Sequence, residues 1–174
     1  MARPSRTFID NACYHIRIRG NQRQKIFLCD NDYTKYLDML KRALRTFDIS
    51  LYSYCLMPNH LHLLVQVQHA KNISKFMHWL NRGYTAYFNA KYGKVGHLWQ
   101  GRFKSNPIVK GQYLINVATY IENNPVRAGI AHDPVDYIWS SYKERCLLER
   151  KKLLEFIPVD LSVGTLLNAK TGTL

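Results

Sequence analysis

The stretch from Ile49 to Val67 constrains the fold more than any other part of the chain. Ile49 to Met57 is rich in β-branched and aromatic residues, and His60 to Val67 is strand-like again. Only Pro58 and Asn59, two turn formers, lie between them, so the two segments are most simply the arms of an antiparallel hairpin. Upstream, Tyr14 to Arg19 alternates as Tyr-His-Ile-Arg-Ile-Arg. That period of two predicts a strand with Ile16 and Ile18 inward and His15, Arg17 and Arg19 on the other face, ended by Gly20-Asn21.

Helical spacing fills the gaps between these strands. After Asp30, a candidate N-cap, apolar residues at Tyr33, Leu37, Leu40, Leu44 and Phe47 predict a helix over 31–47. Phe76, Leu80, Tyr84, Tyr87 and Phe88 form a buried stripe that predicts a second helix over about 74–92, closed by Gly93 and Gly96. Phe103 to Val109 reads as a fourth strand interrupted at Pro107. A third helix runs from Gly111 or Gln112 to Asn123 and stops at Asn124-Pro125, because proline disfavours helix at the preceding residue. Ser140 or Ser141 caps a short helix through about Lys151. The order strand, helix, strand, strand, helix, strand, helix implies an α+β sandwich of ferredoxin-like type, a central antiparallel sheet with helices packed mainly on one face.

Composition narrows the function classes. A chain of 174 residues, 47% apolar and 13% aromatic, makes one domain that buries about 70% of its unfolded surface. Global disorder is therefore excluded. No apolar run approaches the roughly 18–20 residues of a bilayer span, and the basic N-terminus lacks the apolar core of a secretory signal. Twenty-five Lys and Arg against 12 Asp and Glu leave a net charge of +13, spread along the whole chain. A solvated surface usually mixes both signs, so a polyanion, nucleic acid first, is the implied partner. An acidic membrane is the weaker candidate, since no long basic amphipathic helix stands out. Cys13, Cys29, Cys55 and Cys146 form neither a Cys-x-x-Cys pair nor a zinc-type cluster. They read as reduced core thiols of a cytoplasmic protein.

Two positions carry candidate chemistry. His60 and His62 leave the same face of a strand about 6.5–7 Å apart, where one cation could bridge them, while Leu61 and Leu63 fix the register from the apolar face. Such a pair is often an incidental polar face, and a site needs a third ligand. The third helix can supply it: at 100° per residue Tyr113, Asn116, Tyr120 and Asn124 cluster beside the stripe Leu114, Val117, Ala118 and Ile121. Tyr120 and Asn124 are neighbours one turn apart. The plain alternatives are an amphipathic tyrosine at the core edge and an asparagine that ends a helix before proline.

Four separated blocks now matter together. Pro58-Asn59-His60-Leu61-His62-Leu63-Leu64, Gly96-His97-Leu98-Trp99-Gln100-Gly101-Arg102-Phe103-Lys104, Tyr120-Ile121-x-x-Asn124-Pro125-Val126-Arg127-Ala128-Gly129 and Trp139-Ser140-Ser141-Tyr142 resemble the REP-associated tyrosine transposases, single-tyrosine members of the HUH endonuclease superfamily. Met1-Ala2-Arg3-Pro4 and Tyr14-His15…Arg19-Gly20-Asn21 fit the same pattern, so the resemblance is collinear from residue 1 to about 143. It implies an HUH-type catalytic domain over 1–150 and leaves 151–174 as a C-terminal extension without a role. It implies that His60, His62 and Asn124 bind a divalent metal and that Tyr120 attacks a DNA phosphodiester, leaving a 5′-phosphotyrosine and a free 3′-hydroxyl. Related transposases place Gln where Asn124 stands. The implied substrate is single-stranded DNA near a short hairpin, and exchange of the tyrosine helix in related transposases makes a homodimer compatible with the pattern.

The chemistry is consistent with that implication. Two neutral imidazoles and an amide oxygen leave coordination positions open, which suits Mg²⁺ or Mn²⁺, with imidazole favouring manganese. A phenol ordinarily titrates near 10 and needs help to become a nucleophile. Arg3, Arg6, Arg102, Lys104 and Arg127 are the candidate phosphate contacts, and Tyr84, Trp99 and Phe103 the candidate base-stacking residues. Two other readings share these residues: a non-catalytic single-stranded nucleic-acid-binding protein of the same fold, and a metal-dependent nuclease that uses water.

Overall fold

The computed structural model of the protein describes residues 7–108 and 112–146. Its four strands, β1 (Cys13–Arg19), β2 (Ile49–Met57), β3 (His60–Val67) and β4 (Lys104–Ile108), form one antiparallel sheet in the order β2-β3-β1-β4. The hairpin closes with Met57 opposite His60 and Ile49 opposite Val67, and a register shift between Leu51 and Ser53 marks a bulge. The strand order is the ferredoxin-like one.

Alternation along the strands sorts side chains onto two cores. Tyr14, Ile16 and Ile18 of β1 and Leu61, Leu63, Val65 and Val67 of β3 cluster with α1 (Asp30–Phe47) and α2 (Ala70–Tyr92). Each such aliphatic side chain contributes roughly 1.5–3 kcal/mol by leaving water. The opposite face is smaller. There Cys13, Cys55, Met57, Leu64 and Ile108 meet Val117, Ala118 and Ile121 of α3 (Gln112–Glu122). The two long helices thus cover one face, and α3 lies on the face that carries His60 and His62.

Several boundaries differ from the sequence reading for identifiable reasons. Helix α2 begins at Ala70 rather than near Ser74, because the Asp10 carboxylate accepts the Ala70 N–H at 2.6 Å and caps the end from a distant loop. Helix α1 has Cys29 at its N-cap, and Asp32 Oδ2 accepts from the N–H groups of Leu28 and Cys29. Pro107 sits within β4 without cost, since β4 is an edge strand that pairs only with β1. The chain does not leave helical geometry at Asn124-Pro125. After a kink at Asn123 it makes a further turn, α4 (Asn124–Arg127), in which proline occupies an N-terminal position that needs no N–H donor.

A last short helix, α5 (Tyr142–Cys146), starts where a serine cap was expected. The rest of that predicted helix and the extension 151–174 lie outside the described residues, as do Arg3 and Arg6. No cysteine is in a disulfide, but only Cys13 and Cys55 are core thiols; Cys29 and Cys146 are exposed. Among the described residues no helix is long and apolar enough to cross a membrane.

Gly20 ends β1 at a crowded point. A Cβ there would lie 2.4 Å from the Gln24 carbonyl oxygen and 2.8 Å from Ile26 Cγ2. Its N–H donates to the Asn59 carbonyl at 2.8 Å, tying the end of β1 to the turn before His60.

Candidate active site on the α3 face of the sheet

Cross-strand register builds the site. His62 is paired with Arg17 and His60 with Arg19 across β3 and β1, and Arg17 is paired in turn with Lys104 of β4. Directly opposed residues share a face, so His60, His62, Arg17, Arg19 and Lys104 project to the same side. His15 lies one step along β1 on that side, buried, with its Nε2 at 2.8 Å from His62 Nδ1. The two ring centroids are 5.1 Å apart. His60 and His62 rings are likewise 5.1 Å apart, at 72°. His60 Nδ1 lies 2.6 Å from Asn59 Oδ1, and Asn59 Nδ2 donates to the Arg23 carbonyl, which fixes the orientation of the amide.

Helix α3 brings the phenol to these rings. Tyr120 is 39% exposed, and its ring makes edge contacts with His15 at 6.2 Å and His62 at 6.5 Å between centroids. The Arg127 guanidinium lies over the Tyr120 ring at 4.7 Å, a cation–π contact. Asn124 Nδ2 donates to the carbonyls of Tyr120 and Ile121, both at 3.0 Å, which commits the amide nitrogen to its own helix and makes Oδ1 the end available to a ligand.

The helix is held in place by a buried ionic latch. Glu122 is fully buried and accepts from Arg145 Nε and Nη2 and from Ser141 Oγ. Ser141 N–H also donates to the Tyr54 carbonyl of β2, and Trp139 stacks on Tyr33 at 4.5 Å. The Trp139-Ser140-Ser141-Tyr142 block therefore fastens the tyrosine helix to the sheet. Nothing in the local pattern marks this role, because Glu122 looks like any helical glutamate.

Burial sets the charge state of the imidazoles. It lowers His62 to about 2, assisted by the neighbouring His15 and His60 and by Arg17 and Arg19. His60 falls to about 4 through burial and then Arg19 and Arg17, and His15 to about 4 through burial and then Arg17. All three rings are neutral at pH 7, the state in which imidazole offers a lone pair to a metal. The donor set fits a divalent ion: with both Nδ1 atoms engaged by Asn59 and His15, the Nε2 edges of His60 and His62 are the ones left for coordination. Among the described residues no group of three His, Cys, Asp or Glu side chains forms a closed metal cage. Two imidazoles with an amide are an open set, as catalytic sites require.

The candidate DNA contacts divide. Lys104 shares the row of His62, and Arg127 touches Tyr120. Arg102 instead lines a cavity of about 840 Å³ on the α2 side, with Ser74, His78, Arg82, Trp99 and Phe103. Of the stacking candidates, Tyr84 and Phe103 are core residues, the former donating its hydroxyl to the Ile26 carbonyl. Trp99 is half-buried and donates its indole N–H to the Asn81 carbonyl. His15, Arg17 and Arg19 are the site residues that sequence reasoning passed over. The strand alternation had put all three on the correct face, but their meeting with His62 and His60 depends on the β1–β3 register.

The family described as "Transposase IS200 like" matches residues 8–124, which include the histidine pair, Tyr120 and Asn124. The chain belongs to the IS200-like transposase family. This IS200-like transposase is 27% identical over 153 residues to a Haemophilus influenzae protein named "Putative REP-associated tyrosine transposase", spanning 82% of this chain and 86% of that one. Its fold is similar to that of a REP-associated tyrosine transposase solved with a REP hairpin, with a TM-score of 0.69 at 18% identity, covering 92% of this chain and 90% of the other.

Proposed function

We propose that this transposase cleaves and rejoins single-stranded DNA beside a hairpin through a covalent bond to Tyr120, with residues 1–150 as the catalytic unit. Tyr120 Oη attacks the scissile phosphorus, giving its proton to water. The new O–P bond forms as the P–O3′ bond breaks, leaving a 5′-phosphotyrosine and a 3′-hydroxyl that takes up a proton. The covalent linkage retains the energy of the broken ester, so a 3′-hydroxyl can attack it and restore a phosphodiester without a nucleotide cofactor.

His60 Nε2, His62 Nε2 and Asn124 Oδ1 would hold Mg²⁺ or Mn²⁺, which when bound polarises a phosphoryl oxygen. Arg127, over the Tyr120 ring, is placed to neutralise the arriving phosphate. Arg17, Arg19 and Lys104 form a cationic row beside the histidines that suits the continuing strand. Arg3 and Arg6 belong to the same electrostatic role in this reading.

The observation that carries the proposal is the contact of the Tyr120 ring with the rings of His15 and His62, which the chain separates widely. The test is incubation with hairpin-bearing single-stranded DNA and Mn²⁺. An SDS-stable adduct is expected for the native protein and none for Tyr120→Phe. An adduct that persists in Tyr120→Phe rejects the nucleophile, cutting without an adduct points to a water-using nuclease, and salt-sensitive binding with no cutting points to a non-catalytic binder.

A further inference from the structure

We infer that His15 is a positioning residue for the metal-binding edge of His62: His15 Nε2 accepts a hydrogen bond from His62 Nδ1 and thereby directs the His62 Nε2 lone pair into the site. This rests on the reading of His60 and His62 as metal ligands and adds a residue to it.

The direction of this bond follows from the number of protons the two rings hold. A neutral imidazole has one N–H and one lone pair. The contact of 2.8 Å between His15 Nε2 and His62 Nδ1 therefore accommodates a single proton, in one of two ways. If His15 donates, His62 must carry its own proton on Nε2 and has no lone pair for a cation. If His62 donates, its Nε2 is bare. The neighbouring ligand shows which arrangement the site is built for. Asn59 Nδ2 donates to the Arg23 carbonyl, so Asn59 Oδ1 is the atom facing His60 Nδ1. An amide oxygen only accepts, hence His60 carries its proton on Nδ1 and presents a bare Nε2. Only the second arrangement makes His62 match it.

The support is also closed to replacement by solvent. His15 is 7% exposed and His62 4%, and their rings lie within 25° of parallel, so the two nitrogen edges meet directly. Metal-bound imidazoles commonly donate their second N–H to a carboxylate or carbonyl, and losing that partner typically costs 10–100-fold in affinity. Here the acceptor is a third histidine, on a different strand from both ligands.

The experiment reads metal binding rather than cleavage, because His15 also touches the Tyr120 ring. Free Mn²⁺ is followed by electron paramagnetic resonance as it is titrated into the full chain, without DNA. His15→Leu, which fills the space but accepts nothing, is expected to weaken Mn²⁺ binding by about 10–100-fold. His15→Gln, whose Oε1 replaces the Nε2 acceptor, is expected to stay within about threefold of the native protein on the same principle. Native-like affinity in His15→Leu overturns the inference, as does an equal loss in both variants when both melt like the native protein. If the native protein binds no Mn²⁺, or His62→Ala binds it equally well, the metal-site reading itself fails. Should His15→Leu not fold, long-range ¹H–¹⁵N spectra of the Mg²⁺-bound native protein decide directly. A proton on His62 Nδ1 supports the inference and one on Nε2 overturns it.

Discussion

Replacing Arg145 with Met tests whether the tyrosine helix is held by its ionic latch. Glu122 lies two residues after Tyr120 and is fully buried. Arg145 reaches its carboxylate with Nε at 3.0 and 2.9 Å and Nη2 at 2.6 Å, and the other donors are the hydroxyls of Ser141 at 2.6 Å and Ser53 at 3.3 Å. Arg145→Met keeps the aliphatic packing but leaves a buried anion with hydroxyl donors alone. Breaking a buried pair from one side costs about 3–5 kcal/mol. The Arg145 side chain is 22% exposed, so water partly compensates and the low end, about 3 kcal/mol, applies. For a chain of this size that is a fall of about 6–12 °C in melting temperature. Glu122→Gln removes the charge but keeps an acceptor and should cost only about 1–2 kcal/mol. The double variant leaves no unpaired charge, so it should be more stable than Arg145→Met alone by about 1 kcal/mol or more. Equilibrium urea unfolding of the four proteins measures all of this. A cost below about 1 kcal/mol for Arg145→Met, or a double variant whose loss is the sum of the singles, would refute the latch.

Four further outcomes are expected. Asp32 is buried and accepts from Leu28 N–H, Cys29 N–H, Lys91 Nζ, Tyr87 OH and Tyr92 OH, so Asp32→Asn should cost about 3 kcal/mol by urea unfolding, and a loss below about 1 would contradict that accounting. Burial lowers His15 and His60 to about 4, so the unfolded chain takes up protons first as the solution is acidified. The metal-free protein should hold full stability from these groups above pH 6.5 and lose it as pH falls toward 4, and a flat urea midpoint between pH 7 and 4.5 would exclude neutral buried rings. Arg127→Ala should lower the slope of log affinity for single-stranded DNA against log salt by about 0.7, and an unchanged slope would remove Arg127 from the phosphate contacts. Gly20→Ala should lose about 1–3 kcal/mol by thermal unfolding, because its Cβ would press on the Gln24 carbonyl oxygen; native stability would show that the turn adjusts freely.

What the chain discloses by itself depends on the range of the interaction. Period-two alternation at Tyr14–Arg19 and the two-residue gap at Pro58-Asn59 are local, and they appear in the structure as β1 and the β2–β3 hairpin. The shared face of His60 and His62 follows from the same local rule. The contact between His15 and His62 is of another kind: its partners are 47 residues apart, and a slip of one residue in the β1–β3 pairing would turn His15 to the opposite face. Glu122 and Arg145 meet only because α3 and α5 pack against β2, and Asp10 caps α2 from across 60 residues. Arg102 shows the converse. It is two residues from Lys104 in sequence, yet it lines the α2 cavity while Lys104 belongs to the row of His62, because the chain enters the edge strand between them. Charge in a motif says that a polyanion is near; strand register decides which side of the sheet meets it. On that ground Arg17 and Arg19, paired directly with His62 and His60, belong to the face of the candidate site, whereas Arg102 lines the α2 cavity.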